Sequence, residues 1–220
     1  RVDRRQRQMC IRDRDKTAIS LVLLIIAAYY TFSAGMESMI MIGSVGGLIL
    51  AIVTIFKKEW APYTVPFYAI LEGLALGSLS YIYDVQYDGI VLQAISITVM
   101  VLFSLLFAYR SKIIKPTENF KLGLFAATGG IFLLYLISFV MSFFGSGISL
   151  LSPNNSSMLS IGLSFGIVII AALNLVIDFD FIEEGSEKGA PKYMEWYGAF
   201  GLLVTLIWLY LELLLSLIHI

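Results

Sequence analysis

The residues most able to do chemistry lie in one stretch, Asn174-Leu175-Val176-Ile177-Asp178-Phe179-Asp180-Phe181-Ile182-Glu183-Glu184-Gly185. An apolar run of membrane length precedes Asp178, and four carboxylates then fall within seven residues. A carboxylate near the centre of a bilayer helix costs roughly 2.5–3.5 kcal/mol on insertion scales, so one kept there is a functional-site candidate. Asn174 and Asp178 are spaced to share one helix face. Ala171 and Gly166 lie on or near that face, which would let a neighbouring helix come close. Asp180 is turned roughly 200° from Asp178 on a helix, so the two do not chelate one ion unless the helix breaks. Asp178 is the inward candidate and Asp180 the one nearer the rim. The plain alternative for Asp180, Glu183, Glu184 and Glu187 is a solvated cap.

Glu72 is the second misplaced carboxylate, between Leu71 and Gly73 and deep in an apolar run. At that depth it must face the interior, find a partner or carry a proton. No lysine or arginine lies at mid-depth in any apolar run, which excludes an intramembrane salt bridge. Glu195 and Glu212 fall near opposite ends of the last run and read as interfacial. Tyr193, Trp196 and Tyr197 at one end of that run, and Trp208 and Tyr210 near the other, read as aromatic belts. Trp60 and Tyr63 read the same way. Oxygen ligands of this kind suit a proton or a hard cation such as Ca²⁺, with Asp178 the residue to bind it.

These residues are held by a chain that is 59% apolar and only 14% charged. Its apolar runs are about 20 residues long, the length that crosses a hydrocarbon core of roughly 30 Å. The runs are 17–34, 38–56, 63–83, 90–109, 122–144, 158–181 and 193–215, seven spans with no soluble domain. Pro62 and Pro66 mark the start of the third, and a charge-free turn region with Gly147, Pro153, Asn154 and Asn155 separates the fifth and sixth. The fold class is therefore an all-α, seven-transmembrane helix bundle.

The first fifteen residues hold six arginines, against one in the rest of the chain. They and the final residues 216–220 resemble translated read-through of a sequencing adapter, and residues 16–215 are taken as the membrane domain. On that reading Cys10 and His219 are not native. The domain then lacks histidine and cysteine, which excludes serine or cysteine protease chemistry and zinc sites. No phosphate-binding loop is present. The chain is not expected to be an enzyme, to hold a resident cofactor or to bind nucleic acid.

Beyond Lys16, the basic residues Lys57, Lys58, Arg110, Lys112, Lys115, Lys121, Lys188 and Lys192 all follow spans two, four and six. By the positive-inside rule those loops are cytoplasmic, the amino terminus is inside and the carboxyl terminus outside. Small-residue pairs at Gly73/Gly77 and Gly162/Gly166 should let helices approach closely, as should Gly43, Gly46, Gly47, Gly129 and Gly130.

The segment Leu173–Gly185 continues as Glu187-Lys188-Gly189-Ala190-Pro191-Lys192-Tyr193-Met194-Glu195-Trp196-Tyr197. It resembles the carboxyl-terminal signature of the Bax inhibitor-1/YccA family. Trp60-Ala61-Pro62-Tyr63 and Leu71-Glu72-Gly73-Leu74-Ala75-Leu76-Gly77 resemble its bacterial members. The resemblance implies a bundle with span seven central, in a bacterial inner membrane. It implies a pH-sensitive Ca²⁺ leak gated by an aspartate pair between spans six and seven. Asp178 matches the first aspartate, whereas the second falls near Leu202 or Leu203, which are apolar. A shared-proton pair is not carried over, and Asp178 or Asp180 would have to couple to another group such as Glu72 or Glu195. YccA-like members imply a different role, a non-conducting regulator of a membrane-anchored ATP-dependent protease. A proton-coupled carrier is a further reading.

Overall fold

A chain this apolar can satisfy its own backbone in hydrocarbon only by coiling into helices or closing a barrel. The computed structural model describes residues 4–145, 148, 151 and 157–218, and among these it contains helices and no strand. The helices are α1 (Arg4–Ala34), α2 (Met39–Phe56), α3 (Ala61–Gln86), α4 (Ile90–Arg110), α5 (Glu118–Ser142), α6 (Met158–Glu187) and α7 (Tyr193–Ile218). Each of the seven is long and apolar enough to cross a membrane. The all-α seven-span bundle expected from the sequence is the one found. Cys10 by its side chain, His219, and the turn formers Gly147, Pro153, Asn154 and Asn155 lie outside the described residues.

Local chemistry sets the helix ends. Thr117 caps α5, its hydroxyl accepting the Phe120 N–H at 3.3 Å. Gly35 and Gly189 follow α1 and α6 with φ of +61° and +67°, the left-handed stop that glycine adopts without strain. The sixth helix therefore does not end at Phe181, as its apolar run suggested. It continues through Glu183, Glu184 and Glu187, all helix-compatible, and Lys188 reaches back to pair with Glu184.

The described residues divide into two compact units. The first comprises Arg1–Gly89 and Asp180–Val204, that is α1 to α3, the end of α6 and the first half of α7. Here α3 packs against both α1 and α2. A Cβ on Gly73 would meet the Leu24 carbonyl, and one on Gly77 the Ala28 carbonyl and the Thr31 hydroxyl. On the other flank, a Cβ on Gly43 would lie 2.5 Å from the Leu71 carbonyl oxygen and 2.7 Å from the Ala75 nitrogen. These backbones are already in contact, so the glycines are sterically required.

Hydroxyls supplement that contact. Thr31 donates to the Leu74 carbonyl at 3.1 Å, Ser78 to the Met36 carbonyl at 2.6 Å, and Thr54 bonds Thr64 at 2.7 Å. An aromatic row runs from Tyr68 through Phe200 and Tyr197 to Phe181, with successive ring centroids 5.1, 6.2 and 6.1 Å apart.

The second unit comprises Ile90–Phe179 and Thr205–Ile220. The expected close packing at Gly129, Gly130, Gly162 and Gly166 is not found. Nothing among the described residues comes within 4 Å of a Cβ built at any of them. Instead α5 turns inward a stripe of Leu124, Thr128, Ile131 and Tyr135. Leu124 and Ile131 are buried, while Phe125, Leu133 and Ile137 on other faces are more than half exposed, as lipid-facing residues are. Of the seven helices α7 is the most enclosed, with 61% of its most apolar window buried, and α5 the least, with 11%.

Candidate functional site

On α6 the residues Ile167, Ala171, Asn174 and Asp178 recur at helical spacing along one stripe. Ile167 and Ala171 are buried. The unbroken helix carries Asn174 and Asp178 on this face, as their spacing predicts. The Asn174 amide donates to the Thr128 hydroxyl of α5 at 2.9 Å and to the Ile170 carbonyl at 2.8 Å. Asn174 thus spends both donor hydrogens on structure. The partner of Asp178 is Thr205 of α7, in the same unit. The second carboxylate oxygen, Oδ2, is buried and has no hydrogen-bond partner among the described residues.

A buried, unsatisfied carboxylate oxygen is an uncommon arrangement. It costs about 1–3 kcal/mol or more when the group is charged, and is tolerated where a proton, water or cation can complete it. Neither lysine nor arginine occurs between Met158 and Lys188, so no counter-charge arises on α6 itself before its final turns. Leu202 and Leu203, where the resemblance would place a second aspartate, are both buried. What α7 supplies to Asp178 is a neutral hydroxyl.

Asp180, the glutamates that follow it, Glu72 and Glu195 belong to the first unit. Asp180 is half-buried, and Glu183, Glu184 and Glu187 are exposed on the last turns of α6. Glu72 is half-buried on α3 and directed at α2. A Cβ on Gly47 would lie 2.5 Å from its Oε1, so Gly47 makes the room that this carboxyl group occupies. Glu195, also half-buried, lines a cleft of about 360 Å³ with Lys16, Pro62, Lys192, Tyr193 and Trp196. Lys16 lies over the Trp196 ring at 4.7 Å, Lys58 over Tyr197 at 5.0 Å and Lys57 over Trp60 at 5.1 Å. Trp60, Trp196 and Tyr197 are therefore platforms for lysine cations.

Two expectations for α7 are overturned. Glu212 is not interfacial: only 4% of it is exposed, and it accepts hydrogen bonds from Tyr135 and Trp208. Nor do Trp208 and Tyr210 form an outer belt, since Trp208 is turned to Glu212 and Tyr210 is buried. A helix that is apolar all round gives no phase from which to infer its inward face. The bond from Thr205 to Asp178 is hard to foresee from the sequence as well. An isolated hydroxyl in the run Gly201–Leu209 was its only signal.

Among the described residues no group of three or more His, Cys, Asp and Glu is placed to hold a metal ion. A resident Ca²⁺ takes about 6–8 oxygens. Asp178, one committed amide and one hydroxyl do not fit it, and Ca²⁺ can enter a functional reading only as cargo. In comparisons with known proteins, the family model described as Bax inhibitor 1 like matches residues 2–220. Neither a curated protein nor a solved structure matches the chain.

Proposed function

The chain belongs to the Bax inhibitor 1 like family and is a polytopic membrane protein, and from that premise we propose that it is a pH-sensitive cation leak in which Asp178 is the gating residue and Ca²⁺ the cargo. The observation that carries this reading is the orphaned Oδ2 of Asp178, buried inside a membrane span. A neutral carboxyl group is compatible with a dry, closed span. An ionised one is not, because one oxygen then has neither donor nor counter-ion. Ionisation therefore favours an arrangement that admits water or a cation to Oδ2, and the leak rises with pH.

The test is Ca²⁺ flux into dye-loaded liposomes over a range of pH. Wild-type flux should increase toward alkaline pH, and Asp178→Asn, locked in the neutral form, should stay at the acid level. Equal flux in the two proteins at every pH would end the assignment. Asp180, Glu72 and Glu195, all of the first unit, are each secondary candidates for binding an ion or proton. The membrane is read as a bacterial inner membrane, with the loops after α2, α4 and α6 on the cytoplasmic side.

A second reading draws on the exposed acidic end of α6. Glu183, Glu184 and Glu187 stand on a helical extension that a membrane-anchored ATP-dependent protease could grip. Photo-crosslinking from Glu187 in cells should then recover such a protease, and recovery of none would remove this alternative.

A further inference from the structure

Glu212 is the sole Asp, Glu, Lys or Arg after Glu195, and the Asp178 site makes no use of it. It is 4% exposed. The Tyr135 hydroxyl donates to its Oε1 at 2.6 Å and the Trp208 indole N–H donates to the same atom at 3.0 Å. An indole N–H can only donate, so Oε1 is an acceptor. It can be one oxygen of a carboxylate or the carbonyl oxygen of the neutral acid. With both donors on Oε1, a proton bound on Oε2 can arrive and leave without either donor moving.

The charged residues of the second unit besides Glu212 fall in 110–121 and at Asp178. Residues 90–100 of α4, 131–142 of α5 and 158–170 of α6 contain no Asp, Glu, Lys, Arg or His. The titratable groups in those segments and in residues 205–218 are Tyr135, Tyr210 and Glu212 itself. A metal ion would need several more oxygens. A proton needs no space and no further ligand.

The geometry points to Glu212 as a proton-binding site of the second unit, with Tyr135 and Trp208 as fixed donors, that clasps α5 to α7 in both protonation states. The clasp matters because α5 is the least enclosed of the seven helices. Thr128 and Tyr135 lie on one face two turns apart, Thr128 bonding Asn174 of α6 and Tyr135 bonding Glu212 of α7. This inference does not depend on conduction.

Infrared spectroscopy of the full chain in proteoliposomes, at acid and alkaline pH, tests it. Acid carbonyl absorption should be present at acid pH and diminish at alkaline pH, and Glu212→Gln should remove one component of it while the Asp178 component remains. In Tyr135→Phe the Glu212 component should persist at higher frequency, because the acid carbonyl has lost a donor. An acid-minus-alkaline spectrum unchanged by Glu212→Gln would overturn the site. Should that variant fail to fold, Tyr135→Phe decides alone, since a band at its wild-type frequency overturns the clasp and a shifted one supports it.

Discussion

Asp178 and Glu212 hold their oxygens in opposite ways. Asp178 has one neutral partner, Thr205, and an orphaned Oδ2, whereas Glu212 has two donors on Oε1. Removing the hydroxyl in Thr205→Val strips Asp178 of that partner, and stability should fall by about 1–3 kcal/mol. Asn174→Ala removes only a polar link between α5 and α6 and should cost about 1 kcal/mol, in line with hydrogen bonds inside membranes. Reversible unfolding in mixed micelles would rank the two. The acidic members of the site are legible in the sequence because a charge in an apolar run stands out. Thr205 and Tyr135 are not, because a hydroxyl is tolerated almost anywhere on a membrane helix and becomes informative only once its neighbour is known.

At the level of elements, α3 and α6 carry the same small-xxx-small spacing with different outcomes. Gly73 and Gly77 meet the backbone and side chains of α1, while Gly162 and Gly166 meet nothing within 4 Å. The spacing states that a backbone can be approached and leaves open whether a partner is there. Gly73→Ala should therefore overpack the α1–α3 contact and destabilise by about 1–3 kcal/mol. Gly162→Ala should be neutral or stabilise by up to about 1 kcal/mol. The same unfolding measurement separates them, and equal effects would contradict the packing described. For a related reason α6 is longer than its apolar run. Hydropathy finds where a helix leaves hydrocarbon, whereas its backbone stops only where glycine or a cap permits, here at Gly189.

For the molecule as a whole, spans are readable from hydropathy, but which spans adjoin is not, since lipid is as apolar as a protein interior. Sidedness rests on the lysine and arginine distribution. In a Cys10→Ser background, single cysteines at Lys58 and Lys188 should label only from the cytoplasmic face, and those at Ser38 and Asp88 only from the opposite face. The reverse pattern would invert the assignment of every loop.

The interlock of α1, α2 and α3 bears on how the chain is made. Gly43, Gly73 and Gly77 and the atoms they meet all lie within residues 24–77, so this three-helix contact is available before α4 is synthesised. Tyr68 is different: its ring partner Phe200 emerges from the ribosome far later. During that interval α3 is docked on both neighbours yet presents an unfilled aromatic seat. A nascent chain stalled soon after Gln86 should already protect the α1–α3 contact from crosslinkers while leaving Tyr68 reactive, and synthesis of α7 should close it.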